Sequence, residues 1–267
     1  MREIQTALVV GAGGGFGQVF TALLRDRGVQ VTGIDIAPGV TDLRGDLTRE
    51  AAPVGSLNVD LVLLCVPDRI AMAVLDNLDA DFAPDSLIAD ICSVKSAVGA
   101  VAQRCAQQAE YVSIHPMFGP HNDFSDQNMV FIPVRARAKA LALKAWLQTI
   151  CGHVIETDVD GHDKMTAYVQ AAAHAALACF AALRSRAELD VVAERAFATP
   201  IYRALAQASQ DLVQNDAELY HNIQTVNPHA QTARNNLAAA VAATLPVLAD
   251  PDVTAMSEMF SRLRDPQ

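Results

Sequence analysis

The sequence predicts an α/β fold, with a Rossmann-like, mostly parallel sheet domain followed by an all-α domain, and three observations predict it. Short β-branched runs alternate with stretches of helical period over the first 155 residues, the chain opens on a strand and a glycine loop, and strand signals nearly vanish from about Val159. Alternation of this kind implies parallel strands with helices on both faces. At 267 residues the chain is near the upper size for one hydrophobic core, so one large domain or two smaller ones are both admissible. The change of texture decides for two, with a boundary near residues 152–160 that separates a sheet domain over 1–155 from a helical domain over 156–267.

Strands are expected at 6–10, 29–36, 60–66, 86–91, 111–115, 129–134 and 153–156, with helices such as 16–27, 69–78, 94–109 and 137–150 between most of them. The first strand leads into Gly11-Ala-Gly-Gly-Gly-Phe-Gly17, where a phosphate-binding turn of a dinucleotide-binding βαβ unit belongs. Backbone amides there, with the following helix's dipole, can face a pyrophosphate. Two frames compete: Gly11 and Gly13 with Phe16 in place of the last glycine, or Gly14 and Gly17 with Ala12 in place of the first. Either the first glycine is replaced by alanine or the turn has one extra residue. The second strand ends on Asp35, about 20 residues past the loop, where a carboxylate accepts both ribose hydroxyls and repels a 2′-phosphate, so NAD is favoured over NADP. The alternative is a turn aspartate before Pro38-Gly39.

The run Leu61–Pro67 is a buried strand whose terminal Val66 and Pro67 expose backbone beside the expected cofactor crevice. Asp90-Ile-Cys-Ser93-Val-Lys95 ends the next strand, and polar groups at such carboxyl ends point into a ligand crevice; a helix cap with a solvated neighbour is the plain alternative for Ser93 and Lys95. The most informative stretch is Ser113-Ile-His115-Pro-Met-Phe-Gly-Pro120. It ends a strand on one titratable ring and follows it with prolines that forbid helix, which delivers His115 to a rim. In the helical half, Asp158 or Asp160 can cap a helix running roughly to Ala187, and Pro200 and Pro228 fit helix first turns or breaks. Gln170 and His174 stand one helical turn apart on one face, whereas His162 reads as a capping or surface residue.

Composition excludes several classes. Formal net charge is −10, and no basic cluster exceeds Arg135-Ala-Arg-Ala-Lys139, read as the solvated start of a helix, so no nucleic-acid partner is expected. The five cysteines, at 65, 92, 105, 151 and 179, lie scattered in apolar segments without paired ligand spacing; they read as reduced core residues of a cytoplasmic protein, with no metal expected. No targeting segment is read at the amino terminus, and no apolar run of membrane-spanning length, so no membrane partner is expected.

Taken together, these motifs resemble the prephenate and arogenate dehydrogenase family of tyrosine biosynthesis, which includes 4-amino-4-deoxyprephenate dehydrogenases. The resemblance runs nearly end to end, through the glycine loop, Leu64-Cys-Val-Pro67, Asp90–Lys95, His115–Pro120, Gly161-His-Asp-Lys-Met165, Gln170-Ala-Ala-Ala-His174 and Thr199-Pro-Ile-Tyr-Arg203. It implies NAD-dependent oxidative decarboxylation of a cyclohexadienyl acid by a dinucleotide-binding domain joined to a helical substrate and dimerisation domain, in a homodimer; no mutase segment is read before the first strand, so a stand-alone dehydrogenase is expected. It also implies that His115 is catalytic, that Ser93 orients substrate and histidine, and that Lys95, Gln170, His174 and Arg203 serve the substrate.

One departure stands out. Where the family places an arginine that grips the ring carboxylate, this chain has Asp211. An aspartate suits a substrate carrying an ammonium, either arogenate or 4-amino-4-deoxyprephenate. Alternatively Asp211 is solvated and His229 or Arg234 holds the carboxylate. Other function classes are a 3-hydroxyacid-type NAD dehydrogenase, for which Lys164 is the nearest catalytic lysine, and a non-catalytic NAD-binding dimer, which would need none of Ser93, Lys95, His115 and His174.

Overall fold

The computed structural model describes residues 3–37, 41–53, 55–188, 190–214 and 217–264. Eight strands form one sheet: β1 (Thr6–Val10), β2 (Gln30–Asp35), β3 (Leu43–Arg44), β4 (Leu61–Leu64), β5 (Leu87–Asp90), β6 (Glu110–Pro116), β7 (Asn128–Arg135) and β8 (His153–Glu156). Their order is β3-β2-β1-β4-β5-β6-β7-β8, and every adjacent pair is parallel except β6 with β7. The expected α/β fold is therefore observed, including the reversal of strand order between β1 and β4 that opens a crevice beyond the strands' carboxyl ends. The two-residue β3 was not anticipated, because so short a strand carries no periodicity.

Helices α1 (Gly15–Asp26), α2 (Asp68–Asn77), α3 (Lys95–Arg104) and α4 (Ala138–Ile150) cover the sheet. Strands β4 and β5 are buried at every residue, which is why they read as continuous apolar runs. On one face Phe20, Leu24, Trp146 and Leu147 pack on the sheet; on the other, Val74, Leu75, Val98 and Ala102 do so.

Two local expectations are corrected. The third helix ends at Arg104 rather than 109, because Ala106 takes a left-handed φ of 47° and the chain turns back into β6. Half-buried Arg135 is not solvated: its guanidinium donates to the carbonyls of Ala102, Cys105 and Ala106, capping α3 from a distant strand. The start of α4 is satisfied instead by Glu110, whose carboxylate accepts from the amides of Arg137, Lys139 and Ala140 at 2.7, 3.1 and 2.9 Å.

The chain divides into two units, Met1–Asp163 and Lys164–Gln267. After α5 (Val159–Thr166) come a π-helical segment (Ala167–Ala172) and then α6 (Ala173–Arg186), α7 (Val191–Phe197), α8 (Pro200–Gln214), α9 (Ala217–Thr225), α10 (Ala230–Ala249) and α11 (Val253–Arg264). Asp158 caps α5, accepting from the Gly161 amide at 2.7 Å, and Pro200 opens α8. Contrary to expectation, one helix among the described residues, Val159–Arg186, is long and apolar enough by length and composition to cross a membrane, because its alanines raise the mean hydropathy. The second unit buries few side chains, among them Ala171, Ile223 and Ala230, and leaves Val192, Phe197 and Ile201 largely exposed. Four cysteines are buried, but Cys179 is exposed, against the expectation of a core position.

Candidate active site

Register places Val10, Leu64, Asp90 and Ser113 in one row across β1, β4, β5 and β6. The residues just beyond that row share the carboxyl edge of the sheet, and they include Gly11, Val66, Ser93 and His115.

The glycine loop begins at Gly11, whose φ of +78° and close approach to β4 exclude a side chain; a Cβ there would lie 2.3 Å from the Cys65 carbonyl oxygen. A Cβ at Gly17 would lie 2.0 Å from the Gly11 oxygen, so α1 packs directly on the turn. Gly11 and Gly17 therefore fill the first and last glycine roles, and the turn carries one extra residue. Gly14 and Gly15 are exposed, and no side chain caps α1, so its first amides are open to an anion. The ring of Phe16 is turned aside, packing edge-on against Phe118 at 6.0 Å. Asp35 bridges loop and strand, accepting from the amides of Gly13 and Ala37, each at 3.0 Å. The competing turn at Pro38-Gly39 lies outside the described residues. Val66 is half-buried against Gly11, and exposed Pro67 caps α2.

Behind the edge lies a buried ionic cluster that the sequence did not reveal. Asp90 Oδ1 accepts from the Cys92 amide at 2.9 Å, Ser113 Oγ at 2.8 Å and Lys95 Nζ at 3.1 Å, and Oδ2 accepts from the Tyr111 hydroxyl at 2.8 Å. Burial and the adjacent carboxylate hold the Tyr111 phenol well above its ordinary pKa. Lys95 is fully buried, and its ammonium also donates to the Ile114 carbonyl at 2.8 Å. It thus reaches the sheet's own groups, where the resemblance implied a substrate contact. Half-buried Ser93 donates its amide to Asp68, whose carboxyl is raised by burial.

His115, the penultimate residue of β6, is 4% exposed, and its Nδ1 lies 2.9 Å from Nε2 of His162. His162 Nδ1 lies 2.8 Å from Asp163 Oδ1, and the Asp163 carboxylate accepts from the amides of Lys95 and Ser96 at 3.0 and 2.8 Å. At 2% exposure His162 is neither a cap nor a surface residue, so that expectation is corrected. Burial, then Lys95 and His162, depress the His115 pKa well below its usual value. Burial also lowers His162, against the pull of Asp163. For Asp163, burial opposes ionisation, but the bonds from His162 and the two amides leave its pKa below the usual carboxylate value. Pro120, five residues past His115, abuts the glycine loop: a Cβ on Gly15 would lie 2.7 Å from Pro120 Cγ.

In the second unit Gln170 lies in the π-helical segment and His174 opens the following helix, both half-buried. Gln170 Oε1 and His174 Nδ1 are buried atoms with no hydrogen-bond partner, and the His174 ring meets Tyr220 edge-on at 4.8 Å. Unpaired buried polar atoms are costly, and π-helical turns concentrate at functional sites. Arg234 Nη1 donates to Gln224 Oε1 at 2.9 Å, and Gln224 Nε2 donates to the Ala171 carbonyl at 2.7 Å, which ties this cation to the same segment. Arg203 and Asp211 are both exposed on α8, where Arg203 donates to the Ala198 carbonyl at 2.9 Å and Asp211 accepts from Gln207 at 2.7 Å. His229 is half-buried, its amide bonded to Asn227. Lys164 is exposed.

Residues 20–157 match the family described as prephenate dehydrogenase, nucleotide-binding domain, and residues 158–262 match prephenate dehydrogenase, dimerization domain. A 4-amino-4-deoxyprephenate dehydrogenase of Streptomyces pristinaespiralis is 29% identical over 96% of this chain and 89% of its own. The crystal structure of prephenate dehydrogenase from Aquifex aeolicus, in complex with hydroxyphenyl propionate and NAD+, superimposes with a TM-score of 0.71 at 18% identity, covering 98% of this chain and 95% of that one. Arogenate dehydrogenase of Synechocystis also gives 0.71, at 17% identity over 97% of each chain.

Proposed function

Since the chain belongs to the prephenate dehydrogenase family, we propose that it is a cytoplasmic homodimeric oxidoreductase that uses NAD to oxidise and decarboxylate a prephenate-type cyclohexadienyl acid bearing an amino group. Residues 1–155 are assigned to dinucleotide binding and 156–267 to substrate binding and dimerisation. The observation that carries the proposal is the placement of His115, a buried imidazole at the carboxyl edge of the sheet, in the same unit as an uncapped glycine-loop helix. The first amides of α1, beside Gly13, Gly14 and Phe16, fit a pyrophosphate, the Gly11 and Gly17 contacts shape the turn, Val66 and Pro67 border it, and Asp35, which holds the Gly13 amide, fits the ribose hydroxyls.

NAD, when bound, supplies the hydride acceptor. The ring carbon that bears the hydroxyl or amino group gives up its hydrogen with both bonding electrons, while His115 accepts the proton of that group. The ring carboxylate then leaves as carbon dioxide, and the electron pair of the broken carbon–carbon bond completes the aromatic ring. His115 must be neutral to accept a proton, and its lowered pKa keeps it so from neutral pH down through its usual value. Ser93, at the same edge, is assigned to orient the reacting oxygen or nitrogen. Gln170 and His174, with their unpaired buried atoms, are assigned to substrate oxygens, and Arg203 to the substrate side of the helical domain. Lys95 is assigned to hold β5 and β6 in place through Asp90 and Ile114.

The amino-bearing substrate rests on Asp211 and on the relative from Streptomyces pristinaespiralis. NADH formation with prephenate, arogenate and 4-amino-4-deoxyprephenate side by side tests it, an amino-bearing acid being used most efficiently. Asp211→Asn is expected to weaken that substrate by about 1.5–3 kcal/mol, the scale of a charge-assisted hydrogen bond, and Asp211→Arg to recover activity on prephenate. Equal efficiency on all three acids would contradict the substrate assignment and leave the ring carboxylate to His229 or Arg234.

Cofactor choice is separately testable. Asp35→Ala should raise the catalytic efficiency with NADP relative to NAD, because the substitution removes the charge that repels a 2′-phosphate. An unchanged ratio would remove Asp35 from the ribose site.

A further inference from the structure

We infer that His162 and Asp163 form a positioning relay behind His115, fixing the tautomer that leaves His115 Nε2 as proton acceptor and sharing the charge it gains. The inference rests on His115 being the proton acceptor proposed above. A carboxylate only accepts, so at 2.8 Å Asp163 Oδ1 requires a proton on His162 Nδ1. A neutral His162 then has its lone pair on Nε2, and the atom 2.9 Å away, His115 Nδ1, must carry the proton. The His115 lone pair is left on Nε2, the nitrogen not engaged by His162. Two rings and one carboxylate thereby convert an ambiguous imidazole into a base of fixed direction.

The relay is anchored from its far end. Asp163 accepts the Lys95 and Ser96 amides at the start of α3, so the carboxylate cannot swing away from His162 without abandoning them. When the substrate's O–H or N–H bond breaks and an N–H bond forms at His115 Nε2, the new imidazolium sits in a buried site beside the Lys95 ammonium, which opposes it. Asp163 and Asp90 are the carboxylates whose charges act on His162. Removing Asp163's charge therefore makes His115 harder to protonate.

The test compares wild type, Asp163→Asn, His162→Gln and His115→Asn, each with NAD and substrate, over a range of pH. Asp163→Asn should lower kcat about 10- to 100-fold with KM and NAD affinity nearly unchanged. The acid limb of its kcat/KM profile should move to lower pH by about half a unit or more, since a stabilising negative charge is gone. Asp163→Glu should restore the wild-type limb. If Asp163→Asn does not fold, His162→Gln serves instead: glutamine can accept from His115 Nδ1 but has no link to Asp163, so kcat should fall by a similar factor with KM nearly unchanged. Nitrogen-15 spectra of the wild-type enzyme should show His115 protonated at Nδ1. An Nε2-protonated His115, an Asp163→Asn variant with an unshifted pH profile, or a His162→Gln variant with unchanged kcat, each beside an inactive His115→Asn, would overturn the relay alone. Full activity of His115→Asn would overturn the proton-acceptor role and the relay with it.

Discussion

His115→Asn lowers turnover by about 10²-fold or more while leaving NAD affinity nearly unchanged, the size of effect expected when a positioned proton acceptor is lost. Asparagine is the informative replacement because its amide can still donate to His162 Nε2, which an alanine cannot do. Its carbonyl oxygen cannot replace imidazole as a base near neutral pH. Cofactor contacts should survive, because the glycine loop is held by Ile34, Asp35 and the packing of Gly17 on Gly11, none of which involves the ring. In the wild type, the depressed His115 pKa places the loss of activity on acidification below the usual histidine value, with the base fully neutral above it. Equilibrium NAD titration with single-turnover kinetics separates the two effects. A matching loss of NAD binding would mark His115 as a structural residue of the sheet edge.

Lys95→Met should cost the fold about 3–5 kcal/mol, because removing one partner of a buried pair strands the other charge. Methionine fills much of the space but leaves Asp90 fully buried with the Cys92 amide, Ser113 and Tyr111 as its remaining donors. Those donors place the expected cost toward the lower end of the range. Even so, it is a large part of the roughly 5–15 kcal/mol by which typical domains are stable. Urea unfolding followed by tryptophan fluorescence, with Trp146 in the sheet core as the single reporter, measures it. Lys144→Met, which removes the partly exposed pair with Glu156, is the control and should cost no more than about 1 kcal/mol. Equal losses in the two variants would show that the buried cluster contributes no special stability.

What was legible in the sequence follows from where each signal is encoded. The strands of a parallel sheet are buried on both sides, so their apolar runs announce them, and prolines after His115 announce the end of its strand. The short β3 has no pattern to read. The end of α3 is hidden in the sequence because Gln107 and Gln108 continue the helical period, whereas the chain is turned by Ala106 and capped by Arg135 from β7. The glycine loop offered two frames because three consecutive glycines fit either one. Only the approach of Gly17 to Gly11 separates them. His162 reads as a surface residue in the sequence because its partner lies 47 residues away and neither residue's neighbours encode the meeting. Asp90 and Lys95 were legible as polar groups at a strand end, but their mutual burial is a property of the packed sheet.

Oxidative decarboxylation is measured most directly by its stoichiometry. Purified enzyme supplied with NAD and 4-amino-4-deoxyprephenate is predicted to release one carbon dioxide and one NADH for each aromatic product formed, with all three lost together in His115→Asn. NADH formed without carbon dioxide, or no NADH from any of the three cyclohexadienyl acids, would contradict it.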